Sequence, residues 1–213
     1  MRSDSPFEDD TSANGITRET IQLTTSDGVT ITVDVDTPET ATSVAALLHP
    51  HPLYGGRRDH PLLLNLSSAL VSAHVVTARN DFRHASGNTI EEMPDAIATC
   101  EELRQRQPHA PLYVVGYSFG AIVAARIASQ VNAQHLVMIA PPLSALSVGL
   151  PGVPSTIIAA EHDQFSPPSA LSGHPVAEAS TMHVLAGADH FLNGYIEATT
   201  ALTLQVMSTG HGV

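Results

Sequence analysis

The stretch that most constrains the fold is 112–129, LYVVGYSFGAIVAARIAS. Leu112-Tyr113-Val114-Val115 is a short apolar run with two valines, which predicts a fully buried strand. Further on, Ala121, Ala124, Ala125 and Ala128 recur at helical spacing beside Ile122 and Val123. Side chains this small let a helix lie close on a sheet. Between the two, Gly116-Tyr117-Ser118-Phe119-Gly120 must reverse the chain within five residues. Gly116 permits close approach at the turn and Gly120 tight helix–strand contact. Ser118 is then forced into a strained conformation with its hydroxyl exposed. It also begins a helix, where free N–H groups and the dipole favour developing negative charge. A G-x-S-x-G arises by chance in about 7% of chains of this length at ordinary glycine and serine usage. The strand before it and the helix after it therefore carry more weight than the pentapeptide.

The rest of the chain alternates in the same way. Residues 17–24 and 29–35 read as two strands of a hairpin around Ser26-Asp27-Gly28. Residues 44–48 are continuously apolar and predict an inner strand. Pro61 opens a helix with Leu62, Leu63, Leu66, Ala69 and Leu70 as its buried stripe. Strands follow at 74–78, 135–140, 155–160 and 181–186. A helix carries Met93, Ile97, Cys100 and Leu103 on one face, with Thr89 and Glu92 spaced as a capping box. A final helix has Phe191, Leu192, Tyr195, Ile196, Leu202 and Val206 on one side. Strands alternating with helices predict an α/β fold: a mostly parallel twisted sheet, entered through an antiparallel hairpin, with helices on both faces. Residues 1–14 are polar and acidic and read as a disordered tail, and 15–213 as a single domain. Residues 141–154 form a Pro/Gly/Leu loop too short for a large lid.

Composition narrows the function classes. The formal net charge is −12 and all nine basic residues are arginine, which argues against a nucleic-acid partner. A salt-adapted protein and ordinary arginine-biased codon usage account for that composition equally well. The longest apolar stretch, 136–160, is broken by Pro141, Pro142, Pro151 and Pro154, so no membrane span is expected. No apolar leader is visible at the N-terminus. Cys100 is the only cysteine, so no intrachain disulfide can form and the cytoplasm is the default location. Cys100 lies on a core face and reads as a packing residue.

Parallel α/β sheets present ligands at the carboxyl ends of their strands. Four such ends carry reactive residue types: His51 to Tyr54, Ser118, Asp163 and His190. Glu161 and Asp189 are rival acids and His162 a rival base. Asp163 is preferred because it follows its strand by a few residues and precedes Ser166-Pro167-Pro168. Asp81 and Arg83, after another strand, read as a structural ion pair. The loop His49-Pro50-His51-Pro52-Leu53-Tyr54-Gly55-Gly56 holds two histidines two apart, with His60 beyond. Two prolines stiffen that pair and no carboxylate sits at ligand spacing, so no metal is expected. A rigid loop leaving a central strand is instead the place for an oxyanion N–H donor. Pro52 has no N–H, which points to Leu53, or failing that Tyr54.

The order Ser, acid, His, together with G-x-S-x-G, resembles the α/β-hydrolase superfamily over roughly 16–207. H-P-H-P-x-x-G-G with a short inter-strand loop resembles, more narrowly, the small lid-poor hydrolases of the dienelactone-hydrolase-like group. Where dienelactone hydrolases carry a cysteine nucleophile, this chain has Ser118. The resemblance implies Ser118 as nucleophile, Asp163 as acid and His190 as base. It further implies Phe119 and Leu53 as oxyanion N–H donors, with Tyr54 and Tyr117 as candidate substrate contacts. The expected activity is hydrolysis of a small ester or thioester without a cofactor. Acyl transfer through the same residues, and a non-catalytic binding protein on the same fold, are the alternatives.

Overall fold

The computed structural model describes residues 10–11, 15–83, 88–143 and 148–209. Its centre is a nine-stranded sheet in the order β1-β2-β3-β5-β4-β6-β7-β8-β9. The antiparallel entry is built from β1 (Asp10–Thr11), β2 (Thr17–Thr24) and β3 (Thr30–Thr37). β2 alternates half-buried and exposed residues, as a strand with one solvated face must. The chain then enters β4 (Ser43–Leu48), every residue of which is buried, and crosses through α1 (Pro61–Ser72) to β5 (Val75–Asn80). β5 slots between β3, antiparallel to it, and β4, parallel to it. From there α2 (Met93–Arg106), β6 (Leu112–Tyr117), α3 (Phe119–Ile127), β7 (His135–Ile139) and β8 (Ser155–His162) carry the sheet across in parallel steps. Two short helices, α4 (Pro168–Leu171) and α5 (Pro175–Glu178), lead to β9 (Thr181–Asp189), and α6 (Ile196–Thr209) ends the fold.

Two apolar layers sandwich the sheet. On one face Leu62, Leu63, Leu66 and Leu70 of α1 and Val206 and Met207 of α6 pack on Leu47, Val115 and Ile139. On the other, Ala96, Cys100 and Leu103 of α2 and the alanine-rich α3 pack on Val114, Leu136 and Ile157. Each fully buried leucine contributes roughly 1.5–3 kcal/mol. α3 lies close because its contact residues are small. A Cβ on Gly120 would stand 2.3 Å from the Leu48 carbonyl oxygen, and one on Gly116 would stand 2.3 Å from the Gly120 oxygen. Both positions therefore admit only glycine. Among the described residues, no helix is long and apolar enough to cross a membrane.

Several local expectations give way to tertiary contacts. Asp10 and Thr11, inside the stretch read as a tail, pair with Arg18 and Thr17; the remainder of 1–14 lies outside the described residues. The Thr89–Glu92 capping box does not form. Asn88 Oδ1 accepts the N–H groups of Ile90 and Glu91, and Thr89 Oγ1 accepts instead from Arg126 Nε at 2.7 Å. The last helix starts at Ile196, leaving Phe191 exposed in the preceding loop. Asp81 and Arg83 are structural but not paired with each other. Asp81 binds Arg58, whereas Arg83 binds Asp27 and the fully buried Asp95 (2.7 Å), tying the loop after β5 to the hairpin. Bound to both carboxylates, the Arg83 guanidinium is held above its ordinary pKa.

Candidate active site

At the carboxyl end of β6 the chain turns through Ser118 with φ 52° and ψ −115°. This is positive-φ backbone that a non-glycine residue adopts at a cost of about 1–3 kcal/mol. The turn is held by the Ser118 N–H on the Ile139 carbonyl (2.8 Å) and the Ala121 N–H on the Ser118 carbonyl (2.9 Å). It places Ser118 Oγ 2.8 Å from His190 Nε2, and His190 Nδ1 lies 2.8 Å from Asp163 Oδ2. All three side chains are buried. Asp163 Oδ1 also accepts the N–H groups of Phe165 (2.8 Å) and Ser166 (2.9 Å). Burial alone would raise the Asp163 pKa; the His190 hydrogen bond and these N–H groups outweigh it, so the carboxyl sits below its ordinary value. An ionised Asp163 accepts from Nδ1–H, which leaves Nε2 bare toward the Ser118 hydroxyl.

The rival residues lie elsewhere. Glu161 accepts the Gly187 N–H (2.7 Å), bridging the carboxyl ends of the parallel strands β8 and β9 where their register shifts. Asp189 accepts the Phe191 N–H (3.0 Å). His162 is an exposed side chain 3.8 Å from Glu161.

His190 is anchored at its backbone as well. Its N–H donates to Gln164 Oε1 (3.3 Å) and its carbonyl accepts the Tyr117 hydroxyl (2.8 Å). Tyr117, expected to touch substrate, is instead buried and holds the His190 backbone in place. The sequence does not show which face of the strand end this ring takes. Gln164 was not anticipated; its one signal is its position next to Asp163. Tyr54 is exposed, beside His51 with ring centroids 5.2 Å apart.

The loop after β4 corrects a second expectation. Pro52–Tyr54 form a single 3-10 turn, and the Leu53 N–H donates to His51 Nδ1 at 3.2 Å. Leu53 is therefore engaged as a cap donor rather than open to an oxyanion. Tyr54 and Gly56 donate to the His51 carbonyl, and Gly55 to that of Pro52. Pro50 and Pro52 have no N–H. Within 50–56, His51 offers an N–H that takes no part in these bonds. The His51 ring packs on Phe119 (4.7 Å), and Gly120 abuts the carbonyls of Leu48 and His49, so this loop and the start of α3 are adjacent.

The histidines of this loop act as local hydrogen-bonding groups. His60 Nδ1 caps α1 at the Leu62 N–H (3.3 Å). His49 Nε2 accepts the Phe82 N–H (3.0 Å), and its Nδ1 meets the Pro50 carbonyl (2.6 Å). It thus latches the loop to the end of β5. Burial lowers the His49 pKa from 6.5 to about 4, so it folds neutral. Between these values the unfolded chain binds the proton and the folded one does not. The His49 contribution is thus intact above pH 6.5 and is lost as pH falls toward 4, by up to about 3 kcal/mol. His49→Gln, which keeps an acceptor and a donor, should flatten the pH dependence of urea unfolding between pH 6.5 and 4. An unchanged slope would mean that His49 does not sense pH.

Residues 60–148 match the family model for a thioesterase domain, which takes in Ser118 but neither Asp163 nor His190. An uncharacterised protein of Rickettsia prowazekii is 32% identical over 111 residues, 48% of this chain and 47% of that relative, so the match spans about half of each. Among solved structures, a serine hydrolase without a lid from Xanthomonas campestris shares 24% identity, with 86% of this chain and 90% of that one covered at a TM-score of 0.76. A dienelactone hydrolase from Anabaena variabilis shares 15% identity over 89% and 95% of the two chains, with a TM-score of 0.73. With its strand order, its sharp turn at Ser118 and these likenesses, the chain has the α/β-hydrolase fold in its small, lid-poor form.

Proposed function

We propose that the chain is a serine hydrolase of small carboxylic esters or thioesters, acting through Ser118, His190 and Asp163. The observation that carries this is the hydrogen-bonded series from Ser118 to His190 to Asp163, two links of 2.8 Å, at the N-terminus of α3. His190 Nε2 takes the Ser118 proton as Oγ attacks the substrate carbonyl carbon. The oxyanion is received by the N–H groups of Phe119, at the start of α3, and of His51, in place of Leu53. As the tetrahedral species collapses, the same proton passes from His190 to the departing alcohol or thiol, leaving an acyl-enzyme on Ser118. Water, deprotonated by His190, then releases the acid. Asp163 keeps Nδ1 protonated throughout and stabilises the imidazolium. The likenesses to a thioesterase domain and to a serine hydrolase support this chemistry at the level of ester hydrolysis.

A fluorophosphonate probe tests it: Ser118 should label in folded protein, and absence of labelling would overturn the proposal. Residues 141–154, of which 144–147 lie outside the described residues, are too few in sequence for a broad cap, so substrates should be small or water-soluble. On a series of p-nitrophenyl esters of graded acyl length, kcat/KM should fall for long chains, with no activation at an oil–water interface. A preference for long acyl chains would require an apolar channel and contradict this expectation.

A further inference from the structure

We infer that Phe165 and Phe191 form the wall that receives the leaving group, and that the group they take is a neutral aromatic or cyclic apolar alcohol. The inference rests on the mechanism just given, in which the departing oxygen takes its proton from His190 Nε2. The leaving group must therefore exit beside the imidazole. Two phenyl rings border it. Phe165 stands edge-on to His190, with centroids 4.6 Å apart at 67°, and Phe191 is 5.8 Å away at 90°. The two rings are 6.3 Å from each other at 82°. They are 52% and 54% exposed although the imidazole between them is buried. Open phenyl rings of this size at the edge of a buried catalytic group present ready apolar surface.

The backbone that carries both rings is held in place. The Phe165 N–H is held by Asp163 and the Phe191 N–H by Asp189. Their mutual angle matches the edge-to-face geometry that aromatic groups favour, so a third ring can complete the cluster. Charge selects further. The segment that supplies both loops has no lysine or arginine after Arg126, while Glu161, Asp163, Glu178, Asp189 and Glu197 all lie in it. Neither 163–168 nor 189–195 carries a lysine or arginine, and Asp189 holds the Phe191 N–H, so a polyanionic leaving group, such as a nucleotide-bearing thiol, gains no cation from either loop.

The test compares 2-naphthyl acetate with ethyl acetate. They share an acyl group, hence one acyl-enzyme and one deacylation step, so they differ only in acylation. The quantity read is the ratio of kcat/KM values, aryl over alkyl, for the wild type, Phe165→Ala, Phe191→Ala and the double variant. Each ring removed should lower that ratio about tenfold, equivalent to about 1.4 kcal/mol. Acetyl-coenzyme A should be a poorer substrate of the wild type than 2-naphthyl acetate. A ratio that stays within twofold, because neither rate changes or because both fall together as a mere packing role on His190 would produce, overturns the inference. So does acetyl-coenzyme A proving the better substrate. Failure of the underlying mechanism looks different: the wild type itself would neither label with fluorophosphonate nor turn over any of the three.

Discussion

Replacing Ser118 with alanine is expected to reduce ester turnover by about 10⁴- to 10⁶-fold while leaving the fold intact. The lost atom makes a single side-chain hydrogen bond, to His190, and its departure opens no cavity in either apolar layer. The positive φ at 118 is imposed by the turn, and alanine bears the same strain as serine. On the proposed mechanism the residual rate comes from binding and from the N–H groups of Phe119 and His51, which the substitution does not touch. The check is kcat on p-nitrophenyl acetate alongside the thermal midpoint. A variant keeping more than a tenth of wild-type turnover would eliminate Ser118 as nucleophile.

Asp163→Asn is expected to cost about 10⁴ in kcat, by way of the His190 tautomer. The geometry fixes how the amide must sit. Asp163 Oδ1 accepts two N–H groups, from Phe165 and Ser166, so the oxygen of an asparagine stays there. Its NH₂ then faces His190 Nδ1 and donates to it. Nδ1 becomes an acceptor and the proton moves to Nε2, which can no longer take one from Ser118. Asp189→Asn keeps an oxygen for the Phe191 N–H and should change kcat only a few-fold. If Asp189→Asn instead proved the more damaging of the two, the acid would be misassigned.

The contrast between these residues shows what a sequence can carry. Ser118, Asp163 and His190 are legible because each follows the carboxyl end of a predicted parallel strand, buried throughout for β6, buried up to its last two residues for β8 and mostly exposed for the edge strand β9, and such strand ends have a definite place in space. Alternation of strands with helices likewise makes the sheet and its antiparallel entry legible. What is not legible depends on side-chain orientation or on partners far along the chain. Leu53 looked like a donor because nothing in H-P-H-P-L says that the His51 ring folds back onto the Leu53 N–H. Tyr117 sits one residue before the nucleophile, yet its ring lies under the site, because its partner is a carbonyl 73 residues away. Thr89 is drawn from its expected cap by Arg126, 37 residues on. The placement of β5 between β3 and β4 also escapes local pattern, since apolar periodicity predicts a strand but not its neighbours.

Tyr117 and Ser118 are consecutive, and they grip the same histidine at two points: its carbonyl through the tyrosine hydroxyl, its ring through the serine oxygen. The position of His190 is thereby set from the strand that leads to Ser118 as well as through the long path of chain that separates them. A displacement of β9 that keeps both bonds intact leaves the Ser118–His190 distance unchanged.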